Sequence, residues 1–171
     1  MSVLAVLFDR DGTLVVDVPY NGDPALVVPM PGAREAVDLV RAAGLAVGVV
    51  TNQSGIGRGI VTAAEVAAVN TAVDTLFGGF DVWRMCPHAP DAGCDCRKPR
   101  PGLVLQAAAA LGVPPERTVV IGDSPSDVAA AHAAGGRGVL VPGERTPPRP
   151  DLVTAPDLVT AVRLALAGDA A

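Results

Sequence analysis

A Rossmann-like α/β fold, a doubly wound parallel sheet with helices on both faces, is what this 171-residue sequence predicts. Three observations predict it. Five short apolar runs alternate with segments of helical length, and each run is nearly uniformly apolar, as strands buried on both faces are. Polar clusters lie just beyond the carboxyl ends of successive runs, where open parallel sheets receive their ligands. Half of the residues are hydrophobic, which at this length supplies one well-packed core and hardly two. A single domain over residues 1–171 is therefore expected.

In chain order, Val3–Phe8 reads as a buried strand that stops at Asp9. Gly32–Ala43 is amphipathic, with Ala36, Leu39, Val40 and Ala43 on one face, and Gly44 is its stop. Leu45–Val50 is the second strand. Thr62-Ala-Ala-Glu65 is a capping box that opens a helix to about Phe77. Phe80–Met85 is the third strand, and residues 86–100, which have no apolar period, read as a structured loop. Pro101 suits the first position of a helix ending near Leu111-Gly112. Thr118–Ile121 is the fourth strand, Ser124–Ala134 a helix closed by Gly135-Gly136, and Gly138–Val141 the fifth strand. The tail reads Asp151-Leu-Val-Thr-Ala and then Asp157-Leu-Val-Thr-Ala. The first copy, boxed by prolines, reads as a small strand. The second opens a helix through Leu166 with Asp157 as its N-cap.

Composition excludes several classes. The formal net charge is −5 and no run of Lys and Arg occurs, so a nucleic-acid partner is not expected. No stretch of 18 apolar residues exists, so no membrane span is expected. The first residues carry neither a positive segment nor a small-residue cleavage site, which reads as a cytoplasmic chain without a signal peptide. A monomer is expected. Among 13 basic residues Lys98 is the one lysine, as if a compact ammonium were needed there; chance is the alternative.

Four polar clusters follow the strands. Asp9-Arg-Asp11-Gly-Thr-Leu14 places two carboxylates two residues apart on a chain leaving a strand, an arrangement that favours a joining cation; an Asx-turn is the structural alternative. Thr51-Asn52-Gln53-Ser54, followed by Gly55-Ile-Gly-Arg58-Gly59, offers hydroxyls, amides and backbone N–H groups suited to an anion, as many strand-to-helix loops do. Arg97-Lys98-Pro99 precedes a helix start and reads as an anion site or a solvated basic turn. In Gly122-Asp123-Ser-Pro-Ser-Asp127, Asp123 is a candidate ligand for a hard cation, and Asp127 either a second ligand or a first-turn partner of the helix dipole.

Cys86, Cys94 and Cys96, all the cysteines present, lie within eleven residues and are joined by His88. Three thiols cannot pair off, and a closed Cys3His set fits structural Zn2+ held by the loop 86–96. A redox-active thiol pair and buried apolar cysteines are the alternatives. Lys98 lies two residues beyond Cys96, so zinc would help to position it. His132, amid alanines in a helix, reads as a packing or surface residue.

Taken together, Asp9–Leu14, Thr51–Gly59, the Cys-Pro-His to Cys-Asp-Cys-Arg-Lys-Pro block and Gly-Asp-x-x-x-Asp make the chain resemble the haloacid dehalogenase superfamily of aspartyl-phosphate hydrolases over roughly residues 3–141. Within it, these motifs are similar to the heptose 1,7-bisphosphate 7-phosphatases, whose near relatives are histidinol-phosphate phosphatases. The resemblance implies Asp9 as nucleophile, Asp11 as general acid and then base, and Thr51 and Lys98 as holders of the transferring phosphoryl group. It implies catalytic Mg2+ on Asp9, the backbone carbonyl of Asp11, and Asp123. It implies substrate contacts from Asp17, Tyr20, Thr51, Asn52, Gln53, Ser54, Arg97 and Lys98. The implied reaction is hydrolysis of the 7-phosphate of D-glycero-D-manno-heptose 1,7-bisphosphate, feeding nucleotide-activated heptose synthesis. Histidinol phosphate or another small phosphomonoester is the alternative substrate. A non-catalytic zinc-binding module would lack one of Asp9, Asp11, Lys98 or Asp123, and all are present. A nucleic-acid 3′-phosphatase conflicts with the acidic charge. Fewer than twenty residues separate Leu14 from the helix at Gly32, so the domain is expected to be capless, its site walled by residues 15–30 and the zinc loop. That loop is shorter than in longer members, and Ser124 stands where some members carry lysine.

Overall fold

The computed structural model describes residues 2–144 and 146–167. Five parallel strands, β1 (Ala5–Phe8), β2 (Ala46–Asn52), β3 (Val82–Cys86), β4 (Thr118–Gly122) and β5 (Arg137–Leu140), form one sheet in the order β3-β2-β1-β4-β5. The chain builds outward from β1 through β2 to β3, then returns to pair β4 against the other side of β1. Strand order thus reverses beside β1, and its carboxyl end is the switch point where such sheets open a ligand crevice.

Among the described residues six helices complete the fold: α1 (Ala33–Ala42), α2 (Ser54–Gly57), α3 (Ala63–Phe77), α4 (Gly102–Leu111), α5 (Pro125–Ala133) and α6 (Leu158–Ala167). The two-residue period of the strands divides the core. Val6 and Phe8 of β1 join Val49 and Ile121 under α1, α3 and α6, whereas Leu7, Val50 and Val120 pack with Leu103, Val104 and Ala131 of α4 and α5. Nearly uniform apolarity of the runs follows from this two-sided burial. No domain is inserted among the described residues: the segment between β1 and α1 holds only a 3-10 turn at Pro24–Leu26 and the bridges Asp11–Val15 and Val15–Pro29.

Most expected elements form, with revised edges. The Thr62 capping box is present: Glu65 N–H donates to Thr62 Oγ1 and Glu65 Oε2 accepts from Thr62 N–H. Strand β2 continues through Thr51 and Asn52, because Asn52 pairs with Cys86 and cross-strand pairing extends the ladder past its apolar run. On α1 the buried stripe is Ala33, Ala36, Val37 and Val40, with Leu39 half-buried. Ala43 is exposed at the helix end and Val37 is buried instead, because α1 turns the face of 33, 36, 37 and 40 towards the core. Pro101 precedes α4 as its N-cap. The first tail copy makes one parallel bridge, Leu140 to Thr154, and no strand, while Asp157 Oδ1 accepts from Thr160 N–H at the start of α6.

Candidate active site

β1 ends at Phe8 and delivers Asp9 into the crevice between β2 and β4. Asp9 Oδ1 accepts from Arg10 N–H at 2.8 Å and pairs with Lys98 Nζ at 2.9 Å, which leaves Oδ2 free of hydrogen bonds among the described residues. Thr13 donates to Asp123 Oδ1 at 3.3 Å. Gly12 has φ of +77°, and a Cβ on it would collide with the Asp123 carboxylate. The turn after Asp11 therefore requires glycine both for its backbone and for the close approach of β1 and β4.

Lys98 is 3% exposed. Its ammonium donates to Val50 O at 2.8 Å and pairs with Asp9 Oδ1 at 2.9 Å and Asp127 Oδ1 at 2.6 Å, so all three donors are committed. Burial pulls its pKa down, but the two carboxylates overcome it and hold the group above its usual value. Asp127, wholly buried, has two duties: Oδ1 meets Lys98, and Oδ2 accepts from Ser124 N–H at 3.0 Å as the capping-box partner of α5. Ser124 caps that helix with its hydroxyl, and His132 is exposed on it.

Ligand atoms of Asp9, Asp123 and Asp127 lie within 4.8 Å of one another. Burial, reinforced by the neighbouring carboxylates, pushes Asp9 up to about 7 and Asp123 up to about 6. Three carboxylates share one ammonium, so the ionised cluster carries an excess of two negative charges. A hard divalent cation on oxygen donors matches that excess, and the free Asp9 oxygen and Asp123 fit Mg2+. Asp127, with both oxygens occupied, is a holder of Lys98.

On the other flank, a cavity of about 280 Å³ is lined by Asp11, Asp17, Tyr20 and Asn52 to Ser54. Asp17 also lines a second cavity of about 330 Å³ on the Asp123 side. The amides of Asn52 and Gln53 border the first cavity but serve the protein. Asn52 Oδ1 accepts from Lys98 N–H at 3.1 Å and its Nδ2 donates to Lys98 O at 3.2 Å. Gln53 Nε2 donates to Asp11 Oδ2 at 2.7 Å and to Thr51 Oγ1 at 2.9 Å. Thr51 is buried, and its accepting hydroxyl keeps its own proton for a further acceptor. Tyr20, with φ of +53°, accepts from Arg58 Nη1 at 2.5 Å, and the guanidinium covers its ring at 5.5 Å. Arg97 is half-buried, with Nη1 buried and without a partner among the described residues.

The three cysteines are free thiols clustered with His88. Cys86 Sγ lies 3.7 Å from Cys94 Sγ, and His88 Nδ1 lies 3.4 Å from Cys86 Sγ and 3.2 Å from Cys96 Sγ. A zinc tetrahedron with Zn–S of about 2.3 Å and Zn–N of about 2.0 Å has edges of roughly 3.5–3.8 Å, so the set fits Zn2+. Gly57 N–H donates to Pro87 O at 2.8 Å, and a Cβ on Gly57 would lie 2.6 Å from Ala89 N, so α2 is wedged against this loop. A metal held there would not be the only anchor of Lys98, since Asn52, Asp9, Asp127 and Val50 hold it from outside the loop.

Sequence reasoning missed Arg10, which is 1% exposed beneath Asp11, and Asn70 behind it. A charged residue between two acidic ones in a turn looks solvated; only its long-range partner on α3 shows otherwise.

A family model described as HAD-hydrolase-like matches residues 95–163. The D-glycero-beta-D-manno-heptose-1,7-bisphosphate 7-phosphatase of Pseudomonas putida is 39% identical over 153 residues, covering 82% of this chain and 85% of that protein. The Escherichia coli K12 protein of the same name is 37% identical over 152 residues, 82% and 80% of the two chains. Among solved structures, the D,D-heptose 1.7-bisphosphate phosphatase from B. bronchiseptica, complexed with magnesium and phosphate, superposes with a TM-score of 0.84 at 29% identity, covering 97% of this chain and 99% of that one.

Proposed function

The chain belongs to the heptose-1,7-bisphosphate 7-phosphatases of the haloacid dehalogenase superfamily, and from that premise we propose that it hydrolyses the 7-phosphate of D-glycero-D-manno-heptose 1,7-bisphosphate through a phosphoryl group carried on Asp9. The observation that carries the reading is Asp9 itself, with one oxygen tied to Lys98 and the other unbonded beside Asp123.

Asp9 Oδ2 attacks phosphorus while Oδ1 stays on Lys98 and Arg10 N–H. As Oδ2 becomes the ester oxygen, the charge on Oδ1 falls and the ammonium is released to stabilise the phosphoryl oxygens. Thr51 donates its remaining proton to one of those oxygens. Asp11 protonates the departing sugar oxygen at C7, then accepts a proton from the water that hydrolyses the acyl phosphate, regenerating Asp9 and releasing phosphate. When bound, Mg2+ on Asp9, Asp123 and the Asp11 carbonyl supplies the charge that lets an anionic nucleophile meet an anionic ester. Asp17, Tyr20 and Ser54 line the space for the rest of the sugar, and Arg97, beside Lys98 on the loop, is a further substrate contact in this reading. Cys86, His88, Cys94 and Cys96 would hold Zn2+ as a structural ion, which would fix the loop that carries Arg97 and Lys98.

Steady-state kinetics on both anomers of the heptose bisphosphate and on histidinol phosphate test the substrate. The reading expects the β-anomer to have the highest kcat/KM, in keeping with the β designation of the relatives. A higher kcat/KM on histidinol phosphate would overturn it.

A further inference from the structure

Arg10 heads the fully buried side chains by volume, and it is a cation. Burying a guanidinium is costly unless every donor is matched. Here each of the three nitrogens has a partner, in a line that runs to Asp11. Nε donates to Asp11 Oδ1 at 3.1 Å, Nη2 to Asp11 Oδ2 at 2.9 Å, and Nη1 to Asn70 Oδ1 at 2.7 Å. Asn70 sits on α3, whose register is fixed by the Thr62 capping box and by Val66, Val69 and Val73 in the core. Its amide is oriented from the other side too, because Nδ2 contacts Met85 Sδ of β3 at 3.9 Å. Gln53 adds its bond to Oδ2, so that oxygen has two donors and Oδ1 has one.

We propose that Arg10, braced by Asn70, is a positioning residue that fixes the plane of the Asp11 carboxyl for proton transfer to the leaving oxygen. A bidentate fork prevents rotation of a carboxylate that a single hydrogen bond would allow. Rigid placement matters because general acid catalysis requires the donor within hydrogen-bond reach of the oxygen that departs. The inference rests on the acid role proposed above for Asp11.

The test compares two esters. A sugar 7-phosphate expels an alkoxide and needs the proton, whereas p-nitrophenyl phosphate expels a stable phenolate and does not. The readout is the ratio of kcat/KM on the sugar phosphate to kcat/KM on the nitrophenyl ester, measured on the Mg2+- and Zn2+-loaded protein, because kcat/KM stops at departure of the leaving group and leaves out the acyl-phosphate hydrolysis that both esters share. Asn70→Ala is expected to lower this ratio about tenfold and Arg10→Lys about 10²-fold, with KM for the sugar phosphate little changed, since general acid catalysis contributes about 10²–10⁴-fold. Asn70→Asp, which keeps an acceptor oxygen at the same place, should restore most of the ratio. Asp11→Asn sets the floor. If Asp11→Asn lowers the ratio while Asn70→Ala and Arg10→Lys lower both rates equally or neither, the positioning role is wrong and the acid reading stands. If Asp11→Asn itself lowers kcat/KM on both esters equally, the acid reading falls and the inference falls with it. Asn70→Ala leaves Arg10 and Asp11 in place, so it keeps the test open if Arg10→Lys fails to fold.

Discussion

One amide of Asn52 grips both backbone groups of Lys98, accepting from its N–H at 3.1 Å and donating to its carbonyl at 3.2 Å. The end of β2 thus fixes the residue whose ammonium lies between Asp9 and Asp127. Asn52→Ala removes both bonds and leaves a partly buried peptide unsatisfied, at about 1–3 kcal/mol of stability. We expect a lower urea midpoint, and a kcat reduced about tenfold by the freed Lys98 backbone with little change in KM. Unchanged kcat would mean that the three partners of the ammonium place Lys98 unaided.

Removing zinc should act on the same residue from the other side. Thiolates prefer the softer ion, so the protein as purified should hold one Zn2+ that millimolar Mg2+ does not displace. Misplacement of a transition-state group by an ångström costs about 10²-fold, but the bonds from Asn52, Val50, Asp9 and Asp127 restrain Lys98, so the expected fall in kcat on chelation or in Cys94→Ser is nearer tenfold. Phosphate release before and after chelation with Mg2+ restored, paired with metal content by mass spectrometry, measures it. A zinc-free protein working at the full rate would reduce the cluster to a local staple.

Mg2+ binding should depend on pH. Burial raises Asp9 to about 7 and Asp123 to about 6, and both must be ionised to ligate a hard cation. Protons therefore compete below those values: affinity is full above pH 7 and falls as pH drops through 7 and then 6, by about tenfold per pH unit for each titrating carboxylate. Calorimetry in buffers of different ionisation enthalpy should show proton release near pH 6.5. No proton release there would contradict the excess of negative charge read from the cluster.

Gly12→Ala should abolish Mg2+-dependent turnover even where the protein still folds. The added methyl meets the Asp123 carboxylate, and φ of +77° strains any side chain at that position. Circular dichroism near wild type, together with Mg2+ affinity lowered by about tenfold or more, is the expected pair of results. Wild-type Mg2+ affinity would show that the turn can relax.

Much of this was legible in the sequence. The apolar runs gave all five strands, and the Thr62 and Asp157 caps lie where their spacing predicts, because both signals are local. Asp9, Asp123 and Lys98 could be placed in one crevice because parallel strands bring their carboxyl ends together. What the sequence concealed depends on contacts between distant residues. Asn52 and Gln53 look like ligand-binding amides, yet their partners are Lys98, 46 residues away, and Asp11, 42 residues away. Asp127 could be read as metal ligand or helix partner, and the fold makes it a helix cap and a counter-ion at once. Arg10 looks exposed until Asn70 is brought to it. Val37, unlike Ala43, is buried because the position of the helix stripe is set by what α1 packs against.

The central claim, that Asp9 carries the phosphoryl group, is tested most directly by trapping the acyl phosphate. Wild-type protein is acid-quenched during turnover of the heptose bisphosphate and reduced with borohydride, and its peptides are read by mass spectrometry. The account predicts reduction of the side chain at position 9 to the homoserine alcohol, and no such product in Asp9→Asn or in protein quenched without substrate. Reduction at another carboxylate, or an Asp9→Asn protein free of deamidated material that still turns over at more than a few per cent of the wild-type rate, would contradict it.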